Sequence, residues 1–370
     1  MTDHFIGLDV HKSTIAVAVA DDGRAGAVRH YGTVQHRPAD IAKLINRLAA
    51  KGANLHFCYE AGPCGYGLYR QIIETGHTCI VVAPSVIPIK PGVRIKTDQR
   101  DAMNLARLLR AGELEAIWIP DPAHEAIRDL IRTRADAADA VKRGKQQLLS
   151  FLLRHGRTFT GHGVWTRSHF TWLSEQKFEH PAHQIVCQDY INAILDGQQR
   201  RKQLEKLIVD LLPSWSMKPV VDALCVIRGI NIVAATTILS ATGDLRRFPT
   251  PTKLGAYFGL VPSEHSSGES VHRGRITKRG NMEVRRVLTQ SAWTYRFPAR
   301  VTVDFEKQNF DADKRVRELA WRAQVRLCQR YKKLSARGKK AQVVCMAIAR
   351  ELTCFIWEMG QLVVPRRVEF

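Results

Sequence analysis

The first 112 residues place three strand patterns in a row before any helix pattern, and this order restricts the fold more than any other feature. Residues 5–10 form an apolar run, residues 15–19 alternate, and an Asp-Asp-Gly turn leads to a third run at 27–34. Neighbours joined by short turns are predicted to pair as antiparallel strands. Helices are then predicted at 38–51, 65–75 and 97–111, with strands at 55–60 and 78–83. The predicted order is βββαβαβα.

Four carboxylates stand out by their positions in this pattern. Asp9 lies in the first strand, where an uncompensated charge is costly, and Glu60 ends the fourth strand. Asp98 and Asp101 lie three residues apart in the first turn of the third helix, so they face one side. Mg²⁺ takes carboxylate and phosphate oxygens as ligands, and a pair of such ions assists phosphodiester cleavage. The set predicts a Mg²⁺ site in a ribonuclease H-like α/β domain.

Each acid also has a non-catalytic interpretation. Asp98 and Asp101 could complement the helix dipole. Glu60 could be a loop charge, and Asp9 could be a strand end that faces a turn. Taken together in this order of elements, the four acids favour a metal site.

The chain is strongly basic, with 56 Lys and Arg against 35 Asp and Glu and a formal net charge of +21. Residues 271–340 hold 20 Lys and Arg against 6 Asp and Glu, so two thirds of the excess lies in one region. Such a charge predicts a polyanionic partner, with nucleic acid first and an anionic membrane surface second. The Arg and Lys side chains at 315–333 are predicted to contact phosphates.

Cellular location is predicted from what the sequence lacks. No apolar run approaches the roughly 18 residues of a membrane span, and the first residues do not resemble a signal peptide. Eight cysteines are scattered without a Cys-x-x-Cys pair, which argues against a disulfide framework and a zinc site. We expect a cytoplasmic, nucleoid-associated protein with reduced thiols and no membrane partner.

Proline-rich linkers divide the chain. Linkers near residue 120 and at 213–219 predict three domains: residues 1–119 with the carboxylates, a helical arm at 120–218, and a mostly helical domain at 219–370.

The arm combines two helical patterns with an insertion. Residues 123–154 and 191–212 each carry an apolar stripe, so we expect them to pair with each other or with another subunit in a coiled-coil-like arrangement. Between them, residues 155–189 are rich in His and Trp. We interpret this insertion as a surface loop or lid, and the sequence leaves its role open.

A serine cluster forms the second candidate site. A serine hydroxyl that is suitably activated can displace a phosphodiester oxygen and hold the phosphate covalently. The cluster comprises Ser263, Ser266, Ser267 and Ser270, and its Ser267-Gly268 pair precedes a basic run that can neutralise a phosphate. Such loops commonly bind only the nucleic-acid backbone, so the residues alone leave both interpretations open. The candidate nucleic-acid contacts are Arg273, Arg275, Lys278, Arg279, Arg285 and Arg286.

Several motifs together resemble one known family. Residues 6–12 (IGLDVHK), 59–62 (YEAG) and 96–102 (KTDQRDA) resemble the DEDD motifs of the insertion-sequence-110 family of transposases. Residues 224–248 resemble the helix-hairpin-helix of that family, and residues 254–286 resemble its second conserved block. The resemblance covers both ends of the chain and leaves the arm unmatched.

One position departs from the pattern of the family. The hairpin usually reads Gly-Ile-Gly, whereas this chain has Asn231 after Gly229 and Ile230. We expect Asn231 to replace glycine at a left-handed backbone position, which asparagine tolerates best.

The resemblance implies a RuvC-like domain whose DEDD carboxylates (Asp9, Glu60, Asp98 and Asp101) bind Mg²⁺. It also implies a catalytic serine at Ser267, with Ser266 as the runner-up. It implies cutting and rejoining of donor and target DNA, with a structured bridge RNA that selects the sites. It also implies a homo-oligomer, a dimer or tetramer, in which the carboxylates of one subunit meet the serine of another.

Two other functions fit the same residues. In a metal-dependent junction resolvase, water attacks the DNA and Ser267 is structural. In a non-catalytic scaffold for RNA or DNA, the four carboxylates lie far apart.

Overall fold

The computed structural model describes residues 2–50, 52–88, 97–267, 270–301 and 312–364, with only the backbone at 265–267 and 271–273. The chain divides into two compact units, Met1–Ile119 and Pro120–Phe370. Among the described residues, no helix is both long and apolar enough to cross a membrane.

The first unit is a five-stranded mixed sheet with helices on both faces. Its elements are β1 (Asp3–Val10), β2 (Thr14–Asp21), β3 (Val28–Gln35), α1 (Pro38–Ala49), β4 (Asn54–Glu60), α2 (Gly67–Glu74), β5 (Thr78–Val82) and α3 (Asp98–Arg110). The sheet order is β3-β2-β1-β4-β5. The first three strands are antiparallel, whereas β1, β4 and β5 run parallel. This confirms the βββαβαβα order and fits a ribonuclease H-like domain.

The two faces of this sheet differ in side-chain size. Large apolar residues of one face, including Ile6 and Leu8, pack with Ile41 and Leu44 of α1 and with residues of α2. The other face carries Ala16, Ala18 and Ala20, which pack with Ala102 and Ala106 of α3. Successive strand residues point to opposite faces, so the alternation in β1 and β2 assigns one face to each layer. The small side chains allow α3 to lie close to the sheet.

Gly7 is where α3 comes closest to β1. A Cβ atom at Gly7 would lie 2.2 Å from the carbonyl oxygen of Ala102 and 2.4 Å from the amide nitrogen of Ala106. Both atoms belong to the backbone of α3, so no side-chain movement can make room. Asp98 begins the same helix one turn before Ala102, and Asp9 follows Gly7 by two residues. The packing at Gly7 therefore sets how near these two carboxylates lie.

We expect Gly7→Ala to lower the free energy of unfolding by about 1–3 kcal/mol, because the added methyl group overpacks the contact with α3. Urea denaturation measures the change. Gly67→Ala is the matched control, since no atom lies within 4 Å of the Cβ position in α2. Equal midpoints for the two variants would show that the close approach of α3 does not matter for stability.

The second unit is mostly helical. Its elements are α4 (Pro122–Arg154), α5 (Arg167–Ser174), α6 (Pro181–Leu211), α7 (Lys218–Cys225), α8 (Ile232–Thr242), α9 (Pro251–Tyr257), β6 (Pro262–Ser267), β7 (Ser270–Ile276), α10 (Met282–Ala292), α11 (Lys314–Ala336) and α12 (Ala341–Leu362). Helices α7 to α12 surround one apolar core that includes Leu224, Ile238, Leu288 and Ile348.

Helices α4 and α6 pack against each other along much of their length. Val141 and Leu148 of α4 share an apolar cluster with Ile194 of α6. Arg134 of α4 pairs with Glu205 of α6. The paired positions rise along α4 as they fall along α6, so the two helices are antiparallel. The pairing expected from their apolar stripes is confirmed.

The second helix of the arm begins ten residues earlier than predicted. Pro181 occupies its first turn, and His180 caps it by accepting a hydrogen bond from the Ala182 amide at 3.1 Å. A proline in the first turn is a helix-start signal that the apolar stripe alone does not show. The His- and Trp-rich insertion also contains the short helix α5, so a loop is an incomplete description of it.

The stretch that follows α9 is a β-hairpin rather than a loop. Strands β6 and β7 pair antiparallel, with Ser267 opposite Ser270. The sequence of β6 and β7 does not show a clear strand pattern, because it is rich in serine and glycine, which have low strand propensity.

The prediction of a left-handed Asn231 is wrong. Asn231 has φ −98° and ψ 175°, and its side chain accepts a hydrogen bond from the Ala234 amide at 2.8 Å. It is the N-cap of α8, a position that favours asparagine. The left-handed residue of this turn is Gly229, with φ 84°.

Candidate active site

Asp9 and Glu60 come from the carboxyl ends of adjacent parallel strands. The register of β1 and β4 pairs Leu8 with Tyr59, so the next residue on each strand is a carboxylate. Leu8 and Tyr59 both belong to the core under α1 and α2. Because successive side chains alternate, Asp9 and Glu60 lie on the opposite face, which is the face that α3 covers.

The first turn of α3 adds Asp98 and Asp101. Thr97 caps this helix by accepting a hydrogen bond from the Arg100 amide at 3.3 Å. Donor atoms of Asp9, Asp98 and His11 all lie within 4.8 Å of one another. The Nε2 atom of His11 is 3.2 Å from Oδ2 of Asp9 and 3.5 Å from Oδ2 of Asp98. Side chains from β1, from the turn after it and from the start of α3 therefore lie close together.

The charge around Asp9 is mutually repulsive. Burial raises the pKa of Asp9, and the carboxylates of Asp98 and Asp101 raise it further, whereas His11 opposes them. The group of donor atoms within 4.8 Å of one another contains neither Asp101 nor Glu60 among the described residues. A cation would relieve the repulsion, because an opposite charge favours the ionised form of a carboxylate.

Asp9, His11 and Glu60 also line a cleft of about 730 Å³. His36 and Cys64 contribute to the same walls. Oxygen donors from several acids with one imidazole nitrogen form a donor set that fits a divalent cation. His11 is not among the site residues predicted from the sequence, although its place two residues after Asp9 in a tight turn is a usable signal.

The serine hairpin lies in the second unit. Ser267 ends β6 in backbone register with Ser270, and Ser266 is opposite Val271. The side chains of Ser266 and Ser267 lie outside the described residues, and so does the whole of Gly268. Their role as nucleophile stays a prediction.

Three of the candidate cations lie on the surface beside this hairpin. Arg275, Lys278 and Arg279 are exposed, whereas the side chain of Arg273 lies outside the described residues. Lys278 has a left-handed backbone with φ 57°, and its amide donates to the Gly259 carbonyl at 3.1 Å. The backbone after β7 is thus tied to the end of α9, which fixes where these side chains emerge.

Arg285 and Arg286 make contacts inside the protein. The Nη1 atom of Arg285 donates to the carbonyl oxygens of Phe258, Arg279 and Gly280 at 2.8–3.1 Å. Arg286 pairs with Glu283 and, at 3.1 Å, with Asp139 of α4. These contacts position the turn that carries Arg279, and binding of nucleic acid by either arginine stays a prediction.

Several arginines of helix α11 form ion pairs with glutamates of the neighbouring helix α12. Arg326 lies 2.6 Å from Glu351, Arg330 lies 3.3 Å from the same carboxylate, and Arg322 pairs with Glu358. Phosphate contact by the arginines of this helix stays a prediction, and at Arg322, Arg326 and Arg330 a phosphate would compete with the acid. Charge density along a sequence does not reveal which cations meet an acid on another helix.

Comparison with known proteins gives matches to both units. Residues 6–156 match the family model of a DEDD transposase domain, and residues 221–302 match the model described as transposase IS116/IS110/IS902 family. A Sinorhizobium fredii protein named as a transposase, y4qE, is 48% identical over 357 residues, which are 96% of this chain and 88% of that protein. The transposase for insertion sequence element IS1533 of Leptospira borgpetersenii is 29% identical over 343 residues, 91% of this chain and 98% of that protein.

Proposed function

The chain belongs to the IS116/IS110/IS902 family of transposases, enzymes that act on DNA, and we propose that it cuts and rejoins DNA through a serine nucleophile. The convergence of Asp9, His11 and Asp98 at one end of the sheet carries the proposal. A scaffold without catalysis would not need clustered carboxylates that repel one another.

Asp9, Glu60, Asp98 and Asp101 would hold Mg²⁺. A divalent ion bound there assists activation of the attacking oxygen and stabilises charge on the leaving oxygen of a phosphodiester. Two features support this assignment: strand register puts Asp9 beside Glu60, and the capped first turn of α3 carries Asp98 and Asp101.

Ser267 would act as the nucleophile. Its Oγ atom attacks the phosphorus and loses its proton, a P–Oγ bond forms, and the bond from phosphorus to the leaving DNA oxygen breaks. That oxygen takes up a proton, and rejoining follows when a DNA hydroxyl attacks the phosphoserine and releases Ser267. The exposed Arg275, Lys278 and Arg279 lie beside the hairpin, where they can neutralise the phosphate.

The remaining assignments complete the proposal. A structured bridge RNA selects donor and target DNA, and the carboxylates of one subunit meet Ser267 of another in a homo-oligomer. Residues 120–218 form a coiled-coil-like arm, and residues 219–370 form a transposase domain whose α7–α8 turn acts as the helix-hairpin-helix. The protein acts in the cytoplasm, at the nucleoid.

The test is a strand-joining assay with element-end DNA, target DNA and RNA transcribed from the element. We expect rejoined DNA together with a denaturant-resistant protein–DNA adduct, since a phosphoserine is covalent. Mg²⁺-dependent cleavage without any adduct would instead support a nuclease that uses water. Binding of DNA without cleavage would support a scaffold.

A separate prediction concerns the basic surface. We expect the double variant Arg275→Gln, Lys278→Gln to weaken DNA binding and to reduce the slope of log affinity against log salt by about two, because each phosphate contact contributes about 0.9. Fluorescence anisotropy at several salt concentrations measures the slope. Arg322→Gln, Arg326→Gln removes the same charge from side chains paired with Glu358 and Glu351, so its slope should match the wild type. Equal slopes for the two double variants would contradict the assignment.

A further inference from the structure

We propose that His11 is a nitrogen ligand of the divalent cation, which raises the affinity of the site for Mn²⁺ relative to its affinity for Mg²⁺. The inference rests on the metal site of the proposed function and adds a ligand to it. The observation that carries it is the position of one imidazole nitrogen between carboxylate oxygens from two different elements, Asp9 on β1 and Asp98 on α3.

The distances are those of neighbouring ligands around one ion. Two ligands at right angles, each about 2.1 Å from an octahedral cation, are about 3 Å apart. The two distances from Nε2 of His11, 3.2 Å to Asp9 and 3.5 Å to Asp98, are close to that edge. All three donor atoms lie within 4.8 Å of one another, so one cation can contact them once the side chains adjust.

The backbone of His11 is held from two sides. Its amide donates to the Thr14 carbonyl at 2.9 Å, which closes the turn between β1 and β2. Its carbonyl accepts a hydrogen bond from Nδ1 of His36 at 2.8 Å. These two contacts fix the backbone position from which the imidazole ring extends toward Asp9 and Asp98.

A plain ion pair explains the arrangement less well. The side chains of His11 and Asp98 are 52% and 66% exposed, and ion pairs between exposed groups contribute little to stability. As a ligand, the neutral ring would offer its Nε2 lone pair to the same carboxylate-bound ion. The exposure that weakens an ion pair leaves the cation accessible to a phosphate oxygen.

The nitrogen decides the choice of metal. Mg²⁺ prefers an all-oxygen shell, whereas imidazole suits transition metals. Exchange of one oxygen for nitrogen therefore shifts the relative affinity toward Mn²⁺. Glutamine at this position would offer an oxygen donor in place of the nitrogen. His11→Gln therefore distinguishes the effect of a nitrogen ligand from the effect of having any ligand at this position.

The experiment is pulsed electron paramagnetic resonance of Mn²⁺ bound to the full chain, which detects coupling to a directly bound ¹⁴N nucleus. We expect the coupling in the wild type and its loss in His11→Ala and His11→Gln. Calorimetric titration of each variant should show Mn²⁺ affinity lowered by at least about 10–100-fold in His11→Ala. The ratio of Mn²⁺ to Mg²⁺ affinity should fall in His11→Gln.

His36→Gln is the matched control, because it removes a histidine of the same cleft and keeps a donor for the His11 carbonyl. It should keep the ¹⁴N coupling. Bound Mn²⁺ without coupling in the wild type, or coupling that persists in His11→Ala, would overturn the role of His11 and leave the carboxylate site intact. Failure of the wild type to bind Mn²⁺ or Mg²⁺ at all would overturn the proposed metal site as well.

Discussion

Asp9→Asn is expected to stop strand joining, by at least about 10²–10³-fold, and to remove the thermal stabilisation that a divalent cation gives the wild type. Asparagine has the shape of aspartate but no charge, and the side chain of Asp9 is 19% exposed against 66% for Asp98. At a cation concentration of 100 times Kd, binding stabilises the folded protein by about 2.7 kcal/mol, or roughly 5–10 °C in Tm. Differential scanning fluorimetry with and without Mg²⁺ or Mn²⁺ measures that shift.

The change in stability of Asp9→Asn without metal distinguishes a metal-binding role of Asp9 from a structural one. Burial, Asp98 and Asp101 raise the pKa of Asp9, so its ionised form is disfavoured in the folded state. The metal-free Asn variant should therefore be at least as stable as the wild type at neutral pH. Asp3→Asn is the control, because it removes an acid from the other end of β1. A metal-induced shift that survives in Asp9→Asn would contradict the assignment of the cation site.

Much of the first unit could be predicted because its signals are local. Alternation in β2, the Asp-Asp-Gly turn and the Thr97 cap each depend on a few neighbouring residues, and all match the structure. The grouping of Asp9 with Asp98 followed from element order. The close approach at Gly7 did not, since a glycine in a strand does not reveal which helix lies over it.

The features that the sequence did not predict share a physical cause: each depends on a partner distant in sequence or on a competing local role. Asn231 serves as the N-cap of α8. Because the family pattern has glycine at this position, a left-handed turn was the more direct expectation. Arg326 meets Glu351 only because α11 and α12 pack together. His11 joins the acidic cluster because the β1–β2 turn directs it toward α3. A sequence pattern contains none of these distances.

Ser267→Ala is expected to abolish both the protein–DNA adduct and the rejoined product, with a rate loss of at least about 10³-fold, while binding of DNA and RNA is unchanged. The hydroxyl would be a reactant, whereas affinity comes from many phosphate contacts of a chain with net charge +21. Ser267 is the last residue of β6. Denaturing gel electrophoresis of labelled DNA detects the adduct, and anisotropy measures binding in the same preparation.

Two neighbouring serines provide the controls that make this result specific. Ser266→Ala changes the preceding residue of the strand, and Ser270→Ala changes the residue paired with Ser267 across the hairpin. Both should still form the adduct, because neither hydroxyl is the proposed attacking group. An adduct in Ser267→Ala that disappears in Ser266→Ala would move the nucleophile by one residue. If all three variants cut DNA with metal and the wild type forms no adduct, the attacking group is water. The carboxylate cluster would then be the only catalytic site that the reaction requires.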